Sequence, residues 1–370
     1  MAVMSGQATL AEPGTDRLRA RQLLERTGGG PLSHMTTWHG NRYWFTVDGR
    51  AAVAYRLAGG VALTVGDPFG EPAAIRGAAA QFARFCEANG WTPCLYSITE
   101  ELAGKLAGGR WRLLQVAQEA WISLPGLRFT GRAWQDIRTA LNRCRRDGVV
   151  AEWVDMADEA AVTCQVRRMS AAWVAGKVTP EMRFTLGGVE ELHDPAVRCL
   201  VAVDADGQVQ AVTSWLPMHR DGTAVGWTLD MMRRRPDASN GIMEFLIASA
   251  ILCFQAEGAE VLSMSGTPFT GVGPLAGTTI ATRALELLGR LLEPVYGFGT
   301  LLAFKAKFQP AYRPIYLAYP WPTALPRIAV ALVRAYLPAL TLRQAARLVA
   351  STARRRRLPA RRKPAGGVAR

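Results

Sequence analysis

The sequence predicts an α/β chain of the α+β kind: two domains, each a mixed β-sheet with helices laid against it, joined by a basic helix. Three observations predict it. Short runs rich in β-branched and aromatic residues recur from Tyr43 to Ser123 and again from Cys199 to Ser263, separated by glycine and Asp-Gly turns. Between these runs, apolar residues recur at three and four positions, the period of a helix with one buried face. Between the two sets of strands lies Gly131–Gly148, which carries five arginines against two aspartates.

The bulk composition fits this picture. With 370 residues, 49% hydrophobic and 20% charged, the chain has enough apolar material for two ordinary cores. It has no run of 18 or more apolar residues, so no transmembrane helix is expected. Met1–Gly30 has no apolar core of the secretory type, and the stretch from Asp16 to Arg26 is heavily charged. The six cysteines are scattered without a C-x-x-C pair, which fits reduced thiols in the cytosol rather than disulfides or zinc. Twelve of the 44 Lys and Arg residues, and none of the 30 Asp and Glu, lie from Arg327 to Arg370, so the remaining body carries a net charge of only +2 of the total +14. The basic character belongs to the C-terminal segment and points to an anionic partner there, lipid head groups or nucleic acid.

Taken in order, residues 1–32 read as a mobile lead with a short helix over Asp16–Arg26, ended by Gly28-Gly29-Gly30-Pro31. The first domain, 33–130, starts with strands over Tyr43–Val47, Ala51–Leu57 and Val61–Val65. A tight turn at Gly66-Asp67-Pro68-Phe69-Gly70 leads to an amphipathic helix over Ala73–Asn89. A strand at Leu95–Ser97, a helix at Glu100–Ala107, and strands at Trp111–Val116 and Ala120–Ser123 complete it. In the linker helix, 131–148, Trp134, Ile137, Leu141 and Cys144 share one face. Arg132, Arg138, Arg143, Arg145 and Arg146 lie elsewhere on it, either as a solvated charge run or as a contact for RNA phosphates, read largely without regard to sequence.

The second domain, 149–322, opens with a helix at Glu159–Trp173 and a hairpin of Cys199–Asp204 with Gln208–Leu216. A strand over Gly222–Leu229 then runs into the most informative stretch, Thr228–Gln255. It reads as a strand end, a basic loop with Asp230, Arg233, Arg234 and Arg235, and a helix capped by Ser239 or Asn240. Such a junction offers backbone N–H groups and guanidinium groups to an anionic or carbonyl-bearing ligand. A strand at Glu260–Ser263, a polar loop at Ser265–Phe269 and a helix at Ala281–Leu292 follow, then Lys305 and Lys307, which by chemistry alone read as an exposed pair. In the tail, 323–370, apolar runs alternate with arginines up to Ser351, and Arg354–Arg357 and Arg361-Arg362-Lys363 come after. This is too interrupted to span a bilayer but suited to lie on an anionic one.

Strand, strand, strand, helix, strand is the order of GNAT-like acyltransferases. The loop before the helix, however, contains only Gly241, and Pro236 removes an N–H that a pyrophosphate would use. The order therefore suggests acyl transfer, and the loop argues against acetyl-CoA. No Ser-His-Asp or Cys-His arrangement stands out, and the four histidines are not at ligand spacing, so neither metal nor cofactor is expected.

Asp230-Met231-Met232-Arg233-Arg234 followed by Asn240-Gly241-Ile242-Met243-Glu244-Phe245-Leu246 resembles the D-L-M-R…N-G-x-M-[DE]-F-L segment of the lysyl/alanyl-phosphatidylglycerol synthases. These are the soluble catalytic domains of the multiple peptide resistance factor family. Gly66–Gly70, Glu181–Gly187, Ser265–Phe269 and the F-K-x-K-F-x-P of Phe304–Pro310 are similar to further family segments, with Tyr312 where the family more often has Trp. The resemblance covers most of residues 34–320. It implies tandem GNAT-like folds, the first degenerate, and transfer of an aminoacyl group, lysyl favoured, from aminoacyl-tRNA to the glycerol hydroxyl of phosphatidylglycerol. It implies Asp230, Arg233 and Lys305 as catalytic. Arg234, Asn240, Glu257, Glu260, Ser265 and Lys307 are expected to bind substrate, and the five linker arginines to bind tRNA. The family's membrane flippase domain has no counterpart in this sequence, and the tail is expected to hold a cytoplasmic enzyme against the inner face of the membrane. Two alternatives are transfer to a small hydroxyl or amine acceptor, and a non-catalytic RNA- or membrane-binding module.

Overall fold

The computed structural model describes residues 13–176, 181–268 and 298–339. In the first half of the chain the strands are β1 (Arg42–Phe45), β2 (Ala51–Ala58), β3 (Val61–Thr64), β4 (Phe69–Gly70), β5 (Thr92–Thr99) and β6 (Arg112–Ser123). In the second they are β7 (Val150–Val154), β8 (Arg198–Val203), β9 (Val209–Arg220), β10 (Thr223–Arg234), β11 (Val261–Pro268) and β12 (Ala311–Tyr319). All belong to one 12-stranded mixed sheet in the order β1-β2-β3-β5-β12-β6-β11-β10-β9-β8-β7, with β4 against β2. The pairs β3–β5 and β10–β11 are parallel and the other neighbours antiparallel.

The centre of this sheet is an exchange. The first half ends in β6, yet β6 pairs with β11 of the second half. The second half ends in β12, which inserts between β5 and β6. Each half thus completes the sheet of the other, and the core follows. One cluster joins Met35, Leu63 and Val116 from the first half to Phe184, Val212 and Leu216 from the second.

The helices are α1 (Pro13–Thr27), α2 (Pro72–Ala88), α3 (Glu100–Leu106), α4 (Gln135–Arg146), α5 (Ala160–Ala175), α6 (Ile242–Ala256), α7 (Phe298–Ala306) and α8 (Leu325–Tyr336). Several expectations need correction. The lead is docked from Pro13 on, because α1 buries Ala20, Leu23 and Leu24 in a cluster with Ala52, Ala54 and Phe69. Its Arg21 forks onto Asp194 at 2.9 and 2.8 Å. The two strands expected over Trp111–Ser123 are a single β6; the polar Gln118-Glu119 pair that read as a break continues the ladder. Asp230 and Arg233 lie on β10 rather than in a loop. The helix after them starts beyond Gly241 with no side-chain cap, and α6 is buried nearly all round. The apolar face of α8 (Leu325, Ile328, Ala331, Leu332, Ala335) is buried in the shared core, so it is not available to lie in a bilayer. Residues 340–370, with the arginine clusters, and the helix expected over Ala281–Leu292 lie outside the described residues. Among the described residues no helix is long and apolar enough to cross a membrane.

The turn at Gly66–Gly70 has a local structural use. Asp67 accepts the Thr99 backbone N–H at 2.9 Å and the Thr99 hydroxyl at 2.6 Å, tying the turn to the start of α3.

Candidate active site

The parallel ladder of β10 and β11 runs only from Gly226/Val261 to Thr228/Ser263. Just beyond, β10 is bulged against β9 between Leu229 and Met232, and β11 is bulged against β6 between Ser263 and Gly266. A bulge re-aims side chains and bends its strand. The carboxyl end of a parallel strand pair is where α/β sheets place their ligands. Side chains take over from the lost ladder. The Ser265 hydroxyl donates to the Leu229 carbonyl, the Ser265 N–H donates to Ser263 Oγ at 3.0 Å, and the Met231 N–H donates to Ser214 Oγ at 3.0 Å. Ser265 itself has φ 62°, left-handed for a residue with a side chain.

Asp230 sits in the first bulge, and its Oδ1 accepts the Gly187 N–H at 2.9 Å. A Cβ on residue 187 would lie 2.0 Å from Asp230 Oδ2, so only glycine lets the loop close on the carboxylate. Burial pushes the Asp230 carboxyl up to about 7; Glu191 and Glu181 add to the rise, and the Gly187 N–H and Arg233 oppose it. A carboxyl poised near neutrality suits proton transfer.

Arg233 faces the same loop. Its Nη2 donates to Glu181 Oε1 at 3.0 Å, and its guanidinium lies 3.8 Å from the ring centroid of Trp173 on α5. The far side of the loop is held by α8 and the first half. The Arg183 N–H donates to the Tyr336 carbonyl at 2.9 Å, the Thr185 and Tyr336 hydroxyls meet at 2.6 Å, and the Tyr336 and Tyr96 hydroxyls at 2.9 Å. Phe184, between them, has φ 78° and stacks on Tyr96. The loop beside Asp230 is therefore held by both halves.

Lys305 is not exposed. It is 2% accessible, and its Nζ donates to the Ser265 carbonyl at 2.9 Å, the Gly266 carbonyl at 3.2 Å and Thr267 Oγ1 at 3.0 Å. Burial pushes its ammonium down to about 7, against the pull of Glu119. Glu119, on β6, is 7% accessible and accepts the Ser263 hydroxyl at 2.6 Å. Lys305 therefore spends its donors on the β11 bulge. The exposed-pair reading fails here because a helix period cannot show which face of α7 meets β11.

The remaining expected residues divide. Ser265 lies in the β11 bulge, bonded to the residue before Asp230. Lys307 reaches Glu244 in the first turn of α6 at 2.7 Å. Arg234 is exposed and lines an 820 Å³ cleft with Arg168, Trp173 and Arg235. Asn240 is exposed beside α4, its carbonyl accepting from Arg143 at 3.4 Å. Glu257 and Glu260 are not brought to the site. Glu257 pairs with Arg198, and Glu260 pairs with Arg220 at the start of the parallel ladder, where its N–H meets the Val225 carbonyl. Of the linker arginines, Arg138 is used internally, donating to the Phe129 and Gly131 carbonyls at 3.1 and 2.7 Å. Arg132, Arg143, Arg145 and Arg146 are exposed along α4, which packs on α6. Glu119, Trp173, Glu181, Gly187 and Tyr336 were not anticipated as site residues. Gly187 sits inside a recognised segment, whereas nothing local to Glu119 distinguishes it from a solvent-facing strand residue.

The model of the family described as phosphatidylglycerol lysyltransferase, C-terminal, matches residues 21–319. An uncharacterised protein of Corynebacterium glutamicum is 40% identical over 326 residues, which is 87% of this chain and 41% of that protein. The phosphatidylglycerol lysyltransferase of Bacillus subtilis is 25% identical over 304 residues, 82% of this chain and 35% of that one. Among solved structures, L-PGS from Bacillus licheniformis superposes with a TM-score of 0.75 at 24% identity, covering 86% of this chain and 95% of that one, a likeness of fold. The chain spans less than half the length of these two curated relatives. With most of its length matched by that model, the chain belongs to the phosphatidylglycerol lysyltransferase C-terminal family.

Proposed function

We propose that this chain is an aminoacyltransferase that moves an aminoacyl group, lysyl in preference, from aminoacyl-tRNA to the glycerol hydroxyl of phosphatidylglycerol. The observation that carries the reading is Asp230: a carboxyl with a near-neutral pKa, fixed by a glycine amide where a parallel strand pair splays open. In the reaction the lipid hydroxyl oxygen attacks the ester carbonyl carbon and its proton passes to Asp230. The carbon–oxygen bond to the ribose breaks, and the ribose oxygen receives the proton. Exchanging one ester for another needs little driving force, so positioning and proton transfer decide the rate. The lysyl preference is supported by the family's description and by the lysyltransferase of Bacillus subtilis among the relatives. Arg132, Arg143, Arg145 and Arg146 would meet tRNA phosphates. Arg233, with Arg234 at the cleft beside it, would meet a substrate phosphate. The arginines beyond residue 340 would hold the chain to the anionic inner leaflet, a cytoplasmic and peripheral position.

The test is to incubate the purified protein with radiolabelled aminoacyl-tRNAs and phosphatidylglycerol vesicles and to extract the lipid. Label in the lipid, lost on RNase pretreatment and in Asp230→Asn, supports the reading and names the amino acid. Label that leaves the tRNA without entering lipid, when a cell extract is added, replaces the lipid with a soluble acceptor. An inert tRNA pool rejects transfer altogether.

A further inference from the structure

We infer that Glu119 is a positioning residue of this site: a carboxylate supplied by the first half of the chain that keeps Lys305 charged and, through Ser263 and Ser265, fixes the backbone beneath Asp230. The inference deepens the transferase reading and rests on it for its kinetic test only.

The geometry is a chain of contacts from one half to the other. Glu119 lies opposite Gly266 in the β6–β11 register, and the Gly266 carbonyl is one of the three acceptors of Lys305. Glu119 Oε1 accepts from Ser263 Oγ, and Ser263 Oγ accepts the Ser265 N–H. Ser265 is then held at three points. Its N–H is held by Ser263, its carbonyl by Lys305, and its hydroxyl by the carbonyl of Leu229, the residue before Asp230. A left-handed serine persists only where its surroundings over-determine it, and these three contacts do so.

The electrostatics require a counter-charge. An ammonium removed from water costs several kcal/mol unless an opposite charge is near. Lys305 touches two carbonyls and a hydroxyl, and the described charged group that acts on it is Glu119. The other charges near the pair have other tasks. Arg313 of β12 acts on Glu119 while its guanidinium lies 4.0 Å from the Trp121 ring centroid, and Lys307 is taken by Glu244. Burial drives Glu119 up to about 7, opposed by the Ser263 hydroxyl, Arg313 and Lys305, and drives Lys305 down to about 7, opposed by Glu119.

The chain has five lysines, so a protein labelled with [13Cε]lysine gives a readable titration of Lys305 without any substrate. In the unaltered protein the Lys305 signal titrates near neutral pH. In Glu119→Gln its midpoint is expected to fall by about one unit or more, the size of effect an opposite charge has on a buried group. In the lipid-labelling assay, Glu119→Gln lowers kcat about tenfold or more with KM for aminoacyl-tRNA unchanged, and moves the alkaline limb of the pH–rate profile to lower pH. Glu119→Asp restores part of the rate. The double variant Glu119→Gln/Lys305→Met is no slower than Lys305→Met alone, because the two residues act as a unit. A Lys305 midpoint that does not move in Glu119→Gln, or single losses that multiply in the double variant, overturns the inference. If the unaltered protein yields no aminoacylated lipid, the transferase reading falls while the titration still decides the Glu119–Lys305 relation. Should Glu119→Gln fail to give a cooperative melt, Ser263→Ala removes the link from Glu119 to Ser265 while leaving both ionisable side chains in place. It is expected to lower kcat, and a Ser263→Ala protein of full rate counts against the positioning role.

Discussion

Asp230 shows what the site costs the protein. Its folded pKa is raised from the usual 3.8 to about 7, so the folded state binds its proton more tightly than the unfolded chain does. The sign of the linkage follows: this group's contribution to stability is fully present below about pH 4 and is lost as pH rises toward 7. Asp230→Asn removes the ionisation, so its melting temperature should match the parent at pH 4 and exceed it most above pH 7. The gain should be about 1–2 °C for each kcal/mol recovered, measured by calorimetry at both pH values. The same variant should lose about 10²–10⁴-fold in transfer rate, the usual weight of a general base. Gains in stability paired with loss of activity are the mark of a strained functional group. Gly187→Ala tests the same contact from the other side. A methyl 2.0 Å from the carboxylate must displace it, so kcat should fall about 10²-fold while circular dichroism stays unchanged.

At the scale of elements, the seat of α4 on α6 decides where the basic face points. Gly241 precedes α6 with φ 91°, and a Cβ there would meet Ala140 Cβ of α4 at 2.9 Å. Gly241→Ala should therefore cost about 1–3 kcal/mol in urea denaturation, from backbone strain and crowding together. If α4 carries RNA phosphates, Arg145→Ala/Arg146→Ala should weaken tRNA binding and reduce the slope of log K against log salt by roughly 1.5–2, with the lipid-phase reaction intact at saturating tRNA. The α4 stripe of Ile137, Leu141 and Cys144 was legible because a helix's period is written in neighbouring residues, and all three are buried as the spacing requires. Asp230 to Arg233 stood out as a charged segment but was not legible as a strand. Its charges look like a loop until the bulge and the 181–191 segment supply partners for them, and those partners come from more than forty residues away.

Over the whole molecule, what the sequence could not show is the exchange of β6 and β12. Strand candidates were readable from composition and alternation, but which strand lies beside which is a non-local matter, decided by edges that must be covered. Without β12 the first half would leave β5 with an open edge, and without β6 the second half would leave β11 with one. The buried charges follow the same geometry: Glu119 and Lys305 make sense only once β6 lies beside β11. The boundary drawn near residue 130 separates segments of sequence, whereas the sheet and the largest core cluster cross it. A fragment of residues 1–130 made alone is therefore expected to show no cooperative thermal transition and to aggregate, and a fragment of residues 131–370 to do the same. Produced together, the two fragments should recover a soluble complex with a single transition, because β6 and β12 can pair across two chains as they do within one. The measurement is co-purification followed by a melt. A first-half fragment that folds cooperatively on its own would show that the exchanged strands decorate two independent domains rather than join them.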